Sequence, residues 1–253
     1  MTRRHARAPA LIAVAVCGVW LATCTEPNAA GSVQSISPLQ LPSPGIVVAD
    51  TMRDSTGAVA PLRVVGFAPN GDTVAGTTAT FVTLDTFAHL VGGNVLVADR
   101  LGGARVLGAI GTIQTLPETV KVTLSPDTIV AADSTHHFKT YSFIGDSLAT
   151  SAELGVRVEH RAGGSTSDVD AVIVRYSIVS APAAKGSVPT VTLMNGNQVS
   201  SRDTSLGGRA GRTLRLRVQQ LTSLTDSAVI AATASYRGRS LGTVQFTVVF
   251  KNQ

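Results

Sequence analysis

Beyond the first 25 residues the chain carries four histidines, His89, His136, His137 and His160, and these are where metal or acid–base chemistry would start. No HExxH, CxxC or GxSxG pattern surrounds them. His136 and His137 are adjacent, and in a strand neighbouring side chains point to opposite faces, so the two cannot share one ion without a bend. They read as a strand edge at the surface. Asp127, Asp133, Asp146 and Asp168 occupy turn-like positions where a calcium ion could sit, but no EF-hand or repeated acidic-glycine spacing supports one. Turn capping is the expected role. Gly92-Gly93, Gly102-Gly103, Gly163-Gly164 and Gly207-Gly208 lack the Lys-Ser/Thr that opens a helix in a phosphate loop, and they are expected to be hairpin turns. The expectation is therefore no catalytic residues, no metal, no cofactor and no enzyme.

The last fifty residues are basic, with Arg202, Arg209, Arg212, Arg215, Arg217, Arg237 and Arg239. Strand alternation gathers Arg215 and Arg217 on one face. Arg215, Arg217, Arg237 and Arg239 form the candidate patch for an acidic glycan or anionic lipid, set against the plainer reading of a solvated outer face.

Those elements belong to a chain that begins like an exported one. Arg3, Arg4 and Arg7 precede the apolar run Ala10 to Trp20, and no acid comes before Glu26. The run is short of the roughly 18 to 20 residues a spanning helix needs. Leu21-Ala22-Thr23-Cys24 follows, with Thr23 where Gly, Ala or Ser is usual, and it resembles the lipobox of bacterial lipoproteins. The resemblance implies cleavage between Thr23 and Cys24 and a lipid on Cys24. Such chains contribute about 0.8 kcal/mol per buried methylene, enough in pairs or threes to hold a protein on its bilayer. By the same resemblance, Thr25 after the cysteine points to the outer membrane. Secretion or a periplasmic location is the alternative.

Cleavage at Cys24 changes the charge argument. Three of the 21 basic residues precede it and none of the 16 acidic ones does, so the net charge falls from +5 to +2. A near-neutral chain lacks the basic footprint of a nucleic-acid binder. Cys17 leaves with the leader and Cys24 is the candidate lipid site, so no cysteine remains for a disulfide or a thiolate zinc site.

Residues 24 to 40, rich in Ser, Pro, Ala, Asn and Gly, read as a solvated tether. Beyond them come short runs of Val, Ile, Leu, Thr and Phe separated by Gly, Asp, Asn and Ser, the pattern of an all-β sandwich. Strands are expected near Ile46–Ala49, Leu62–Phe67, Ala79–Leu84, Asn94–Ala98, Ala104–Ile110 and Thr119–Leu124. A proline after an alternating strand makes Leu124-Ser125-Pro126-Asp127 the expected boundary. A second set is expected near His137–Ser142, Gly155–His160, Ala171–Val179, Thr190–Leu193, Thr213–Val218, Ala228–Tyr236 and Val244–Phe250. Ala171–Val179 is nearly continuous in apolar residues and predicts burial on both faces. Val244, Phe246, Val248 and Phe250 alternate, and predict an inner face.

The halves echo each other: Leu101-Gly102-Gly103-Ala104-Arg105-Val106-Leu107 returns loosely as Leu206-Gly207-Gly208-Arg209-Ala210-Gly211-Arg212-Thr213-Leu214, after Asp99 and Asp203 respectively. With Asp50, Gly57 and Pro61 ahead of Leu62–Phe67, and Val169–Tyr176 in the second half, this resembles the bacterial immunoglobulin-like repeats of adhesins and surface proteins. The resemblance implies two immunoglobulin-like sandwiches in tandem, residues 41–124 and 125–253, behind a signal peptide (1–23) and tether (24–40). The second is long for one repeat, so an insertion is expected around Ala181 to Ser205. The implied function is a structural, adhesive or assembly module of the cell envelope, bound to membrane by lipid and to an envelope protein or polysaccharide. A polysaccharide- or small-molecule-binding lipoprotein is the other reading, although 4% aromatic residues offer few stacking platforms.

Overall fold

The computed structural model describes residues 32–133, 138–143, 149–217 and 227–252. Cys24, the signal peptide, His136, His137 and Asp146 lie outside them. The described residues form strands and turns with no helix, so the fold is all-β.

The first group of strands is β1 (Ser35–Ile36), β2 (Gly45–Val47), β3 (Gly66–Phe67), β4 (Thr80–Thr83), β5 (Ala88–Val91), β6 (Val95–Ala98), β7 (Gly102–Ile110), β8 (Ile113–Gln114) and β9 (Glu118–Thr123). The second begins with β10 (Thr128–Ala131), β11 (Phe138–Phe143), β12 (Ala149–Thr150), β13 (Leu154–Ala162), β14 (Ser165–Asp168) and β15 (Ile173–Ser180). It ends with β16 (Val191–Asn195), β17 (Gln198–Val199), β18 (Arg202–Thr204), β19 (Arg209–Leu216), β20 (Ser227–Tyr236) and β21 (Arg239–Asn252).

In the second group one sheet runs β10-β13-β19-β16-β17, with β12 on β19 and β14 on β13, and the facing sheet runs β11-β21-β20-β15-β18. Their inner faces supply one core, which includes Leu154, Val156, Val158, Tyr176, Leu214, Ile230, Phe246 and Phe250. The order reproduces the two-sheet arrangement of an immunoglobulin-like sandwich. In the first group the order is β2-β9-β7-β4, and the β5-β6 pair is extended by a bridge from Thr51 to Val97. Its core holds Leu39, Ile46, Met52, Leu62, Leu96, Val106, Val120 and Val122. Each group also pairs an early strand in parallel with its last one, β2 with β9 and β11 with β21. Every strand pair lies wholly before Leu124 or wholly after Asp127.

The alternation in the last strand is realised, since Val244, Phe246, Val248 and Phe250 are all buried. Several other expectations are corrected. The tether ends sooner than residue 40, because Ser35 and Ile36 pair with Phe67 and Gly66, and Leu39 is in the core. Of Leu62–Phe67 only the last two residues form a strand, while Arg63 makes a single bridge to Gln40 in the irregular proline-containing segment opposite. The apolar run in β15 is buried on one face only. Val174 and Tyr176 point into the core, and Ser177 to Ser180 are exposed where β18 no longer pairs alongside.

Gly102 and Gly103 open strand β7 rather than a hairpin turn, and a Cβ at Gly102 would stand 2.5 Å from the Phe87 ring. The segment expected as an insertion supplies β16, whose Val191, Leu193 and Met194 are buried against β19. The repeated glycine motif also falls on strands that do not correspond. β7 lies between β4 and β9, whereas β19 lies between β13 and β16 in the other type of sheet. Glycine turns ahead of alternating hydrophobes recur wherever a strand starts, and carry no equivalence by themselves.

Candidate functional site

The densest set of charged contacts lies where the two groups meet. Ala49, just after β2, adopts φ 58°, and the chain then turns so that Asp50 donates its N–H to the Val47 carbonyl at 3.0 Å. This places the Asp50 carboxylate, with 4% of the side chain exposed, toward the second group. One oxygen accepts from the Thr51 N–H at 2.7 Å and from Arg53 Nη2 at 3.2 Å. The other accepts from Arg53 Nε at 3.2 Å and Arg237 Nε at 2.8 Å. Tyr236 Oη and Arg237 Nη2 complete the set.

Tyr236 and Arg237 reach it because β20 and β21 are joined by a two-residue loop, with Tyr236 opposite Arg239. Arg237 (φ 51°) and Gly238 (φ 75°) supply the two positive φ values that a type I′ turn needs. The loop tip lies on residues 56 and 57: a Cβ on Gly57 would be 2.5 Å from the Gly238 nitrogen. Arg53 Nη1 also donates to the Gly57 carbonyl at 2.9 Å. Farther along the junction, a Cβ on Gly45 would be 2.5 Å from Ala171 Cβ, so only glycine lets these backbones approach. Lys121 pairs with Asp170 at 3.5 Å, and Arg239 donates to the Pro126 carbonyl at 3.1 Å.

Burial pushes the Asp50 pKa up, but donors from Arg237, Arg53, Tyr236 and Thr51 outweigh it and hold the carboxyl far below the usual range. Burial, and then the bond to Asp50, push the Tyr236 phenol well up. A carboxylate held this way is a poor general base. The cleft beside it has a volume of about 90 Å³, against roughly 300 Å³ or more for a small-molecule pocket.

The candidate arginines are divided. Arg215 and Arg217 lie on or just past β19, with Arg215 opposite Thr192 and Thr150 in the seven-stranded sheet. Arg237 and Arg239 belong to the hairpin of the facing sheet, and are tied to Asp50 and, at 3.6 Å, to Asp127. Asp127 does not cap its own turn: its carboxylate accepts the Arg161 N–H, 34 residues on, at 2.8 Å, which is the main cause of its lowered pKa. Asp168 pairs with Arg157 at 2.8 Å. His89 meets Asp99 at 2.9 Å, and His160 meets the Ser125 carbonyl at 2.8 Å. Among the described residues, no three His, Cys, Asp or Glu side chains are grouped to hold a metal ion.

Sequence reading missed the role of Asp50. It stands 187 positions from Arg237, and nothing local marks the pair.

No family model matches the chain, and no curated protein matches it. Among solved structures it is similar to the S-layer protein SbsC, residues 31–844, at 16% identity and TM-score 0.31, over 86% of this chain and 28% of that one. It is similar to the Yersinia pseudotuberculosis adhesin InvE at 12% identity and TM-score 0.34, over 84% and 58% respectively. A β-glycosidase from Bacteroides vulgatus gives 10% identity and TM-score 0.29, over 85% and 24%. The chain thus spans about a quarter of the SbsC chain. The all-β assignment rests on the strands, sheets and cores of this chain itself.

Proposed function

We propose that this chain is a non-enzymatic lipoprotein of the cell envelope, a structural or adhesive module carried on lipid at Cys24. The observation that carries the proposal is the basic, then apolar leader ending in Leu21-Ala22-Thr23-Cys24, in a chain whose described residues form strands and turns without a helix. The junction supports it from another side. Its charged groups are spent on one another across the boundary between the sheet groups, as in a spacer. The resemblance to lipoproteins, with Thr25 after the cysteine, supports an outer-membrane location.

Detergent-phase partitioning and carbonate-washed membranes, prepared from a bacterial host expressing the full chain, test the anchor. Wild type is expected in the detergent phase and the washed membrane, and Cys24→Ala in the aqueous phase. Equal membrane retention of the two overturns the lipid anchor. Density-gradient separation of inner and outer membranes then tests the location.

A further inference from the structure

Ala49, Ala171 and Arg237 are the non-glycine residues with positive φ among those described, and all three sit at the junction. Ala49 precedes Asp50, Ala171 faces Gly45, and Arg237 forms the hairpin tip. Left-handed backbone is unfavourable at a residue with a Cβ, and it persists only where surrounding contacts over-determine it. At Arg237 those contacts are visible. Two guanidinium nitrogens bind Asp50, and the guanidinium carbon stands 5.8 Å from the Tyr236 ring centroid. On the other side, Asp50 is held in place by Arg53, which is itself fixed on Gly57.

Asp50 and Arg237 are thus carried by elements that pack on separate cores, Asp50 braced by Arg53 and Arg237 by the β20–β21 hairpin. Domains in one chain move relative to each other by default unless their interface is large and hydrophobic, so across a charged junction rigidity must come from specific contacts. We propose that the Tyr236–Arg237–Gly238 tip is a latch, which closes on Asp50 and holds the two sheet groups as one rigid body. The inference deepens the spacer reading above, because a latched pair fixes the distance and direction between its ends. It does not depend on the lipid, so either claim can fail alone.

The test uses the full mature chain with Cys24→Ala, spin-labelled through Thr78→Cys in the first group and Ser165→Cys in the second, both exposed. Pulsed dipolar spectroscopy reads the distance between the labels. The latched protein gives one narrow distribution. Arg237→Gly removes the guanidinium while easing the left-handed turn, so it retains the hairpin and its fold. The distribution is then expected to widen roughly twofold or more, toward that of loosely joined domains. Asp50→Asn should widen it in the same way, and Asp72→Asn, in an exposed turn away from the junction, should leave it unchanged. Circular dichroism and melting of each variant separate loss of the latch from loss of fold. A broad distribution in the wild type, or a distribution in folded Arg237→Gly as narrow as wild type, overturns the proposal.

Discussion

The guanidinium of Arg212, on β19 of one sheet, meets the carboxylate of Asp203, on β18 of the facing sheet, at 3.0 Å. Arg212 shares the inward face of its strand with Ala210, Leu214 and Leu216, so a charge stands where alternation calls for an apolar side chain. Asp203 also accepts the Gly211 N–H at 2.7 Å, and Arg212 Nη1 donates to the Gly211 carbonyl at 2.6 Å. Arg212 Nη2 reaches the Arg202 carbonyl, whereas Nε has no protein partner. The pair links edge strand β18 to β19 of the facing sheet.

Breaking such a pair costs more than replacing it, because a single substitution strands the other charge in the interior. Asp203→Ala should lower stability by about 3 kcal/mol, and the joint replacement Arg212→Met with Asp203→Leu by much less. Denaturant melts of both proteins decide this. Equal losses in the two would mean that the pair itself holds the edge.

Phe246 is 1% exposed, at the centre of β21 and of the second core. Phe246→Ala removes its burial and leaves a cavity, with an expected cost of roughly 3 to 5 kcal/mol. Thermal melting should show the second core lost first. Stability unchanged from wild type would contradict the register of the final strand.

Asp50 gives the junction its response to acid. Its folded pKa lies below the ordinary value of 3.8, so its contribution is full above that value and drains away as pH falls toward the folded one. Wild type should therefore be more stable than Asp50→Asn at neutral pH, with the gap narrowing steadily as pH falls below about 4. Melting curves of the two proteins across that range are the measurement, and a constant gap would show that Asp50 is not the titrating group.

We propose that residues 32–124 and 125–253 each fold alone, since each has its own core and no strand pair among the described residues joins them. Residues 41–124 lack β1 and the buried Leu39, and should melt lower than 32–124. Circular dichroism melts of the three fragments test this. Failure of both longer fragments to fold would make the chain one cooperative unit.

Sequence by itself determined the local features. Period-two alternation put Phe246 and Phe250 inside, and turn residues divided the strands, because side-chain direction and backbone freedom depend on immediate neighbours. The tertiary structure alone decided what depends on meeting across space. It showed Ile178 and Val179 exposed where a neighbouring strand stops short, β1 paired inside the expected tether, and Arg212 buried among apolar residues. It also separated Arg237 from Arg215 and gave it to Asp50, far away in the chain. Charge partners are chosen by geometry, and the residue types alone say only that a partner must exist.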